Sequence, residues 1–238
     1  LLEVIPHETS DQAMIDYFMH FGDVVLGKQT VLCKDTPAFI ANRVGVMSGT
    51  KVAMLTEKYD MRIEEVDAIT GTLIGRPNTA TDRLQDLVGI DTSDKVSAFV
   101  LKTVENDEFI DSIKGLEMPA YMKFLLENKF YGNKSGKGFY EKTGKKDEKG
   151  KRIVNALNLK TLEYEPAIRP KLALVGSAKR IERFDRRIPH LLEGDDRESK
   201  FLREYFASLF SYSANRIPEI SDEYYSLDDA MRAGYMWD

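Results

Sequence analysis

The hydrophobic pattern is helical over most of the chain. Between positions 36 and 59 the apolar residues recur at helical spacing, which is typical of an amphipathic helix. This stripe consists of Ile40, Val44, Met47 and Met54. Thr36 at the cap position and Pro37 at the first helical position favour a helix that begins there. Similar spacing predicts helices over AMIDYFMHFG, RIEEVDAITGTLIG, TDRLQDLVGI, DTSDKVSAFVLKTVE and MPAYMKFLLENKF.

The remaining pattern is extended, polar or again helical. LLEVI at the start and QTVLCKD after the first helix are rich in branched apolar residues, which predicts short strands. KTGKKDEKGKR is polar throughout and indicates a solvated loop or a hairpin tip. The stretch from Ile153 to Pro166 is predicted to be extended and irregular. Beyond it, one helix is predicted over PKLALVGSAKRIERFDRRIPHLLEG, one over DRESKFLREYFASLFSYSANRI and one from Ser226. The expected fold class is therefore mostly α.

Composition excludes several classes of protein. The 238 residues carry 34 basic and 39 acidic side chains, a net charge of −5, which argues against a nucleic-acid partner. Cys33 is the single cysteine, so an intrachain disulfide is impossible, which fits a reducing compartment such as the cytoplasm. No stretch approaches the roughly 18 apolar residues of a membrane span.

The sequence contains no phosphate-binding glycine motif and no metal-ligand spacing among its histidines, so no metal is expected. A catalytic pair of Glu3 and His7, four residues apart, is disfavoured because Pro6 interrupts the strand. His20 and His190 are expected to be packed or surface residues.

Glu3 allows two interpretations. In the first it faces solvent from a strand with one wet side. In the second it is a buried carboxylate that orients and stabilises a partner, an imidazole supplied from elsewhere.

Asn42 also allows two interpretations. It lies on a small-residue face of the predicted long helix, with Ala38, Gly45, Gly49 and Ala53. Interior glycines cost about 1 kcal/mol each relative to Ala, so something is expected to pack very close to this face. The Asn42 amide either bonds a neighbouring helix or turn, or it positions a ligand for which the glycines leave room.

Lys134 belongs to the glycine-rich segment KSGKGFY. This segment is either a surface turn into a strand, with glycines at positive φ, or a cationic loop near a cofactor or phosphate.

Four segments in order resemble the C-terminal part of NAD-dependent 3-hydroxyacyl-CoA dehydrogenases. They are LLEVIP, KDTPAFIANRV, IGRPNTATDRLQDLVGIDT and NKSGKGFYEK. The resemblance covers residues 1–143. SLDDAMRAGYMWD at the end resembles the start of a second copy of the same helical domain, as in multifunctional members that also carry an enoyl-CoA hydratase domain.

The resemblance implies a helical domain of the 6-phosphogluconate-dehydrogenase C-terminal type. Residues 1–143 would form the first helical domain, with 1–8 as the end of a Rossmann domain or its joint. Residues 144–170 would be a linker, and 171–238 an incomplete second repeat. Because the chain starts without Met in a strand, we expect a piece of a longer protein from which the Rossmann domain is absent.

The resemblance also implies the chemistry. An imidazole upstream of Leu1 removes the proton of the 3-hydroxyl as hydride leaves for NAD, and Glu3 stabilises the imidazolium. Without that histidine, Glu3 is expected to be exposed. Asn42 contacts the reacting end of the acyl-CoA, and Lys134 reaches the cofactor. The family motif usually has Gly where Ala38 stands.

The expected function is thus a part, inactive alone, of a fatty-acid β-oxidation enzyme that works with a Rossmann domain and dimerises through its helices. Two alternatives remain open. One is the helical domain of another hydroxy-acid dehydrogenase, and the other is a non-catalytic assembly module.

Overall fold

The structure, a computed structural model, describes residues 1–150 and 152–238. The strands are β1 (Leu2–Val4), β2 (Thr30–Leu32), β3 (Tyr140–Lys146), β4 (Arg152–Leu157) and β5 (Tyr164–Pro166). The helices are α1 (Gln12–His20), α2 (Ala41–Lys58), α3 (Ile63–Thr70), α4 (Asp82–Val88), α5 (Ile90–Thr103), α6 (Glu108–Ile113), α7 (Ala120–Glu127), α8 (Ala173–Ala178), α9 (Phe184–Glu193), α10 (Arg197–Asn215) and α11 (Tyr224–Tyr235). The mostly helical expectation is confirmed.

Two small sheets accompany the helices. β1 and β2 pair in parallel, with Glu3 opposite Val31, and α1 connects them. β3, β4 and β5 form an antiparallel sheet. The segment from Ile153 to Pro166 is extended, as predicted, but it is regular over β4 and β5, because β4 pairs with β3 and β5 pairs with β4. The polar segment KTGKKDEKGKR is the tip of the β3–β4 hairpin, as predicted, and its residue 151 lies outside the described residues.

The largest hydrophobic core joins the two ends of the chain. It contains Met47 and Leu55 of α2 together with Phe201, Leu202 and Tyr205 of α10. The rings of Tyr59 and Phe201 are 6.2 Å apart, centroid to centroid, just beyond one end of α2. At the other end of α2, Arg43 bonds Tyr212, so α10 runs antiparallel to α2. The α2 helix is thereby held along its length.

The start of α2 differs from the prediction. The helix begins at Ala41, and neither Thr36 nor Pro37 caps it. The reason is local, because Ala38 and Phe39 both have positive φ, at 66° and 50°. Two consecutive left-handed residues cannot continue a right-handed helix.

The predicted helix over residues 170–194 is also wrong, since the segment forms two helices, α8 and α9. The amides of Arg180 and Ile181 bond carbonyls three residues back, at Ser177 and Ala178. Those turn bonds end α8 before α9 begins.

Replacing Ala38 by Gly is expected to raise the free energy of unfolding by about 0.5 to 1 kcal/mol. A left-handed non-glycine residue costs roughly 1–2 kcal/mol, and the greater freedom of Gly in the unfolded chain offsets part of the gain. Urea unfolding measures the change. Ala53→Gly, inside α2, is the control and should lose about 1 kcal/mol. A loss at both positions would contradict the strained conformation of Ala38.

Candidate active site

Glu3 sits on β1 and caps α2. Its Oε1 accepts hydrogen bonds from the backbone N–H of Ile40, at 3.1 Å, and of Ala41, at 2.9 Å. Amides at a helix start have no partner within the helix and attract anions, so this contact is electrostatically favourable. Glu3 is partly buried. Both the solvent-facing interpretation and the expected exposure of Glu3 are therefore wrong, because the helix start replaces water as its partner.

Two neighbours experience the negative charge of Glu3. Burial, and then the Glu3 carboxylate, raise the pKa of the Cys33 thiol to about 12. Burial, and then the same carboxylate, raise the pKa of the Tyr235 hydroxyl. Both groups therefore keep their protons at neutral pH.

Asn42 follows directly on the capped residues but is exposed. Its side chain makes no hydrogen bond to any other described residue, so the interpretation as a packing amide is wrong. It lines a groove between α2 and α5, which we call the α2–α5 groove. Residues 35–39 and Asn42 form one side of this groove, and Lys95, Val96 and Phe99 form the other.

The close packing expected on the small-residue face of α2 is confirmed at Gly45. A Cβ atom at this position would overlap the hydroxyl of Tyr235, which lies at the end of α11. Gly45 thus leaves room for a side chain from the far end of the chain. Gly49 is less crowded, with the Gln85 side chain 3.7 Å from where its Cβ would lie.

Lys134 lies apart from Glu3, at the start of α5. Its Nζ forms an ion pair with Asp91 and lies 3.4 Å from the hydroxyl of Thr92. This pairing lowers the pKa of Asp91. Thr92 precedes the groove residue Lys95 by about one helical turn, so Lys134 is near one end of the groove without lining it.

The rest of the glycine-rich segment has a structural role. Asp86 of α4 accepts the amides of Phe139 and Tyr140, each at 2.8 Å. A Cβ atom on Gly138 would overlap the Asp86 carboxylate. Burial raises the pKa of Asp86 to about 6 although both amides favour its charged form. The segment is a turn into β3, as the first interpretation has it, but Gly138, Phe139 and Tyr140 are buried rather than on the surface. The cofactor role of Lys134 stays a prediction.

The histidines lie elsewhere. His7 is exposed and its Nδ1 is 3.2 Å from the hydroxyl of Thr9, in a turn after β1. His20 is at the exposed end of α1, and His190 Nε2 is 2.8 Å from the hydroxyl of Ser177. These positions agree with the structural interpretations of all three.

Residues 1–150 and 152–238 contain no group of His, Cys, Asp and Glu able to hold a metal ion. They also contain no helix long and apolar enough to cross a membrane. The connection from β1 to α1 has no glycine, so it does not form the cradle that a dinucleotide pyrophosphate requires. That connection therefore does not fit the pyrophosphate of NAD.

Sequence reasoning missed the α5 side of the site and Tyr235. Lys95, Val96 and Phe99 have the spacing of one helix face, a signal that was present. Nothing in the local pattern of Tyr235 indicates contact with α2.

Comparison with known proteins assigns part of the chain to a family. Residues 39–142 match the family model of the 3-hydroxyacyl-CoA dehydrogenase C-terminal domain. A Bacillus subtilis protein named a probable 3-hydroxyacyl-CoA dehydrogenase is 35% identical over 238 residues, 100% of this chain and 29% of that protein. The pig mitochondrial hydroxyacyl-coenzyme A dehydrogenase is 34% identical over 143 residues, 59% of this chain and 42% of that protein. The chain thus spans less than half of either relative.

A solved structure agrees in fold. The 3-hydroxybutyryl-CoA dehydrogenase of Escherichia coli K12 superimposes with a TM-score of 0.59 at 16% identity, over 99% of this chain and 58% of that one. The fold match extends over the helices, and the family match includes Asn42 and Lys134 but not Glu3. Residues 39–142 of this chain belong to the 3-hydroxyacyl-CoA dehydrogenase C-terminal domain family.

Proposed function

We propose that the chain forms the substrate side of an NAD-dependent 3-hydroxyacyl-CoA dehydrogenase of fatty-acid β-oxidation. The reaction converts (3S)-3-hydroxyacyl-CoA to 3-ketoacyl-CoA. One observation carries the proposal. The Glu3 carboxylate is fixed at the start of α2 by hydrogen bonds from the amides of Ile40 and Ala41, and the next residue, Asn42, is exposed and faces a groove. A fixed carboxylate and an unpaired amide at the same helix start suit proton transfer next to a carbonyl.

Glu3 would act on a histidine base. Both of its backbone bonds use Oε1, so Oε2 can accept from an imidazole N–H. When the imidazole takes the proton of the 3-hydroxyl, the carboxylate stabilises the resulting cation and holds its ring in place. We propose that this histidine comes from outside the described residues.

Asn42 would position the substrate. Its side-chain N–H groups can donate to the carbonyl oxygen of the acyl group, which holds C3 in line for reaction. Because the exposed Asn42 amide bonds no other described residue, it can make this contact without breaking another one.

NAD is the proposed oxidant, bound mainly by a Rossmann domain that works with this chain. For Lys134 to reach the cofactor, its Nζ would have to leave Asp91.

We also propose a multifunctional enzyme of the cytoplasm in which this chain alone is inactive. A homodimer through the helical domain is proposed from exposed apolar residues, Leu87, Val88 and Leu116. A monomer in sedimentation velocity would contradict the dimer.

Asn42→Ala tests the function in the enzyme that combines this chain with its NAD-binding domain. We expect oxidation of 3-hydroxybutyryl-CoA to fall about 10- to 100-fold in kcat/KM, since misplacement of the reacting group alone costs up to about 100-fold. The melting temperature should hold, because the Asn42 side chain bonds no other described residue. Asn215→Ala is the matched control, because this exposed amide at the end of α10 likewise bonds no other described residue through its side chain. A lower melting temperature with unchanged turnover would return Asn42 to a packing role.

A further inference from the structure

The end of α11 lies against the two elements that hold Glu3. A Cβ atom on Gly234 would lie 3.0 Å from Leu1 Cδ2, next to β1, and 3.5 Å from the Cβ of Ala41, the first residue of α2. Glu3 lies on β1 and accepts the amide of Ala41. The end of α11 therefore contacts both the strand that carries the carboxylate and the helix start that binds it.

Tyr235 follows Gly234 and lies on the small-residue face of α2. Its hydroxyl lies so close to Gly45 that a Cβ atom there would overlap it. Burial, and then the Glu3 carboxylate, raise the pKa of this hydroxyl, so the side chain stays neutral beside the carboxylate. A neutral ring in this position takes the place of water, and a carboxylate interacts more strongly with a nearby cation where water is excluded.

Tyr235 is itself held by the interior of the protein. Its ring centroid is 5.6 Å from that of Trp237, and the guanidinium of Arg76 lies 3.7 Å from the centroid of the Trp237 ring. Arg76 is buried and donates a hydrogen bond to the hydroxyl of Tyr205 on α10. An arginine stacked on an aromatic face is favourable, so these contacts restrict the position of Tyr235.

The middle of α11 packs against β2, the partner strand of β1. Leu227, Ala230 and Met231 share the largest hydrophobic core with Val31. Val31 is in turn the register partner of Glu3 in the parallel pair. A displacement of α11 would therefore disturb both strands as well as the start of α2.

We propose that Tyr235 is a positioning residue for Glu3, because it holds the strand that carries the carboxylate against the start of α2 and excludes water from that contact. This inference rests on the proposed function, in which Glu3 acts on a histidine base, and it extends the site to α11. Glu3 and Tyr235 both lie outside residues 39–142, so the match to the family model does not include this contact.

Tyr235→Ala tests this role in the enzyme that combines this chain with its NAD-binding domain. Oxidation of 3-hydroxybutyryl-CoA should fall about 10-fold in kcat, since misplacement of a reacting group costs up to about 100-fold, while KM stays within about twofold because Asn42 is unchanged. Tyr235→Phe keeps the ring and should retain kcat. Tyr235→Leu keeps an apolar side chain, should also lower kcat, and replaces the Ala variant if that variant unfolds.

A double-mutant cycle with Glu3→Gln separates positioning from a general effect on the fold. If Tyr235 acts through Glu3, Tyr235→Ala should lower kcat by less than about twofold once Glu3→Gln is present, because the charge that it positions is already gone.

Amide hydrogen exchange measures the same positioning without turnover. In the 238-residue chain the amides of Ile40 and Ala41 bond Glu3, and Tyr235→Ala should speed their exchange about tenfold relative to amides in the middle of α2. Tyr224→Ala is the matched control, since Tyr224 begins the same helix and is 74% exposed. Its replacement should change neither the exchange rates nor kcat.

Three results would overturn the assignment: unchanged kcat in both Tyr235→Ala and Tyr235→Leu, an equal loss of kcat with and without Glu3→Gln, or unchanged exchange at Ile40 and Ala41. The proposed function fails separately. Faster exchange at these two amides in Tyr235→Ala, without oxidation of 3-hydroxybutyryl-CoA by the unmutated combined enzyme, would refute that function alone. Turnover that depends on Glu3 but ignores Tyr235 would refute this inference alone.

Discussion

Replacing Asp107 by Ala is expected to lower the free energy of unfolding by about 3 to 5 kcal/mol, because it leaves a buried cation without its main partner. The side chains of Asp107 and Arg43 are both 0% exposed and lie 2.8 Å apart, Oδ2 to Nη2. Asp107 also accepts the hydroxyl of Tyr212 at 2.8 Å and the amide of Ile110 at 2.9 Å. The carboxylate therefore ties α2, α6 and α10 together.

The effect should depend on pH. Burial alone would raise the pKa of Asp107, but the amide of Ile110, then Arg43 and Tyr212, outweigh it and lower the pKa below 3.8. A lowered pKa on folding stabilises the protein above pH 3.8, and that contribution is lost as the pH falls through the folded value. The difference between wild type and Asp107→Ala should thus shrink in strong acid.

Urea unfolding at several pH values measures both effects. Asp111→Ala is the control within α6, where the carboxylate is 51% exposed and pairs with Lys114 on the surface. Such pairs contribute about 0.2 to 1 kcal/mol. Similar losses for Asp107→Ala and Asp111→Ala would show that the buried pair does not stabilise the fold as described.

Replacing Glu3 by Gln is expected to lower kcat by roughly two to four orders of magnitude in the enzyme that includes the NAD-binding domain, by analogy with loss of the orienting carboxylate in a Ser-His-Asp triad. The amide oxygen of Gln can still accept from Ile40 and Ala41, so α2 keeps its cap. The lost charge at the helix start should cost only about 0.3 to 1 kcal/mol of stability.

Steady-state oxidation of 3-hydroxybutyryl-CoA and thermal unfolding separate these roles. Glu8→Gln removes an exposed carboxylate from the same segment and should leave kcat unchanged. If Glu3→Gln lowers the melting temperature and spares kcat, Glu3 is a helix cap and no more.

Local patterns predicted the helices well and their ends less well. The spacing of apolar residues in α2, α5, α7 and α10 is a property of neighbours in sequence. The helices that this spacing predicted are therefore present in the structure. The start of α2 does not, because Thr36 and Pro37 look like a cap while Ala38 and Phe39 turn left-handed. Ala38, one of these two residues, stands where the resemblance to the family leads us to expect Gly.

The candidate site could be predicted only in part. Glu3 and Asn42 came from motifs, and the structure brings them together at the start of α2. Lys134 also came from a motif, but in the structure its ammonium forms an ion pair with Asp91 and lies apart from Glu3 and Asn42. Lys95 went unnoticed because an exposed lysine on a helix is ordinary until the opposite side of its groove is known.

By itself, the sequence determined the helical class and the family motifs, since periodicity and short motifs are local properties. Only the tertiary structure decided what those residues contact. Glu3 reaches amides 37 and 38 positions away, and Arg43 reaches Asp107 across 64. The Glu3 carboxylate, for which a solvent-facing interpretation was open, is turned inward by these distant partners, and distant partners also surround the buried Arg43 guanidinium. Burying a charge is favourable only where such partners meet it.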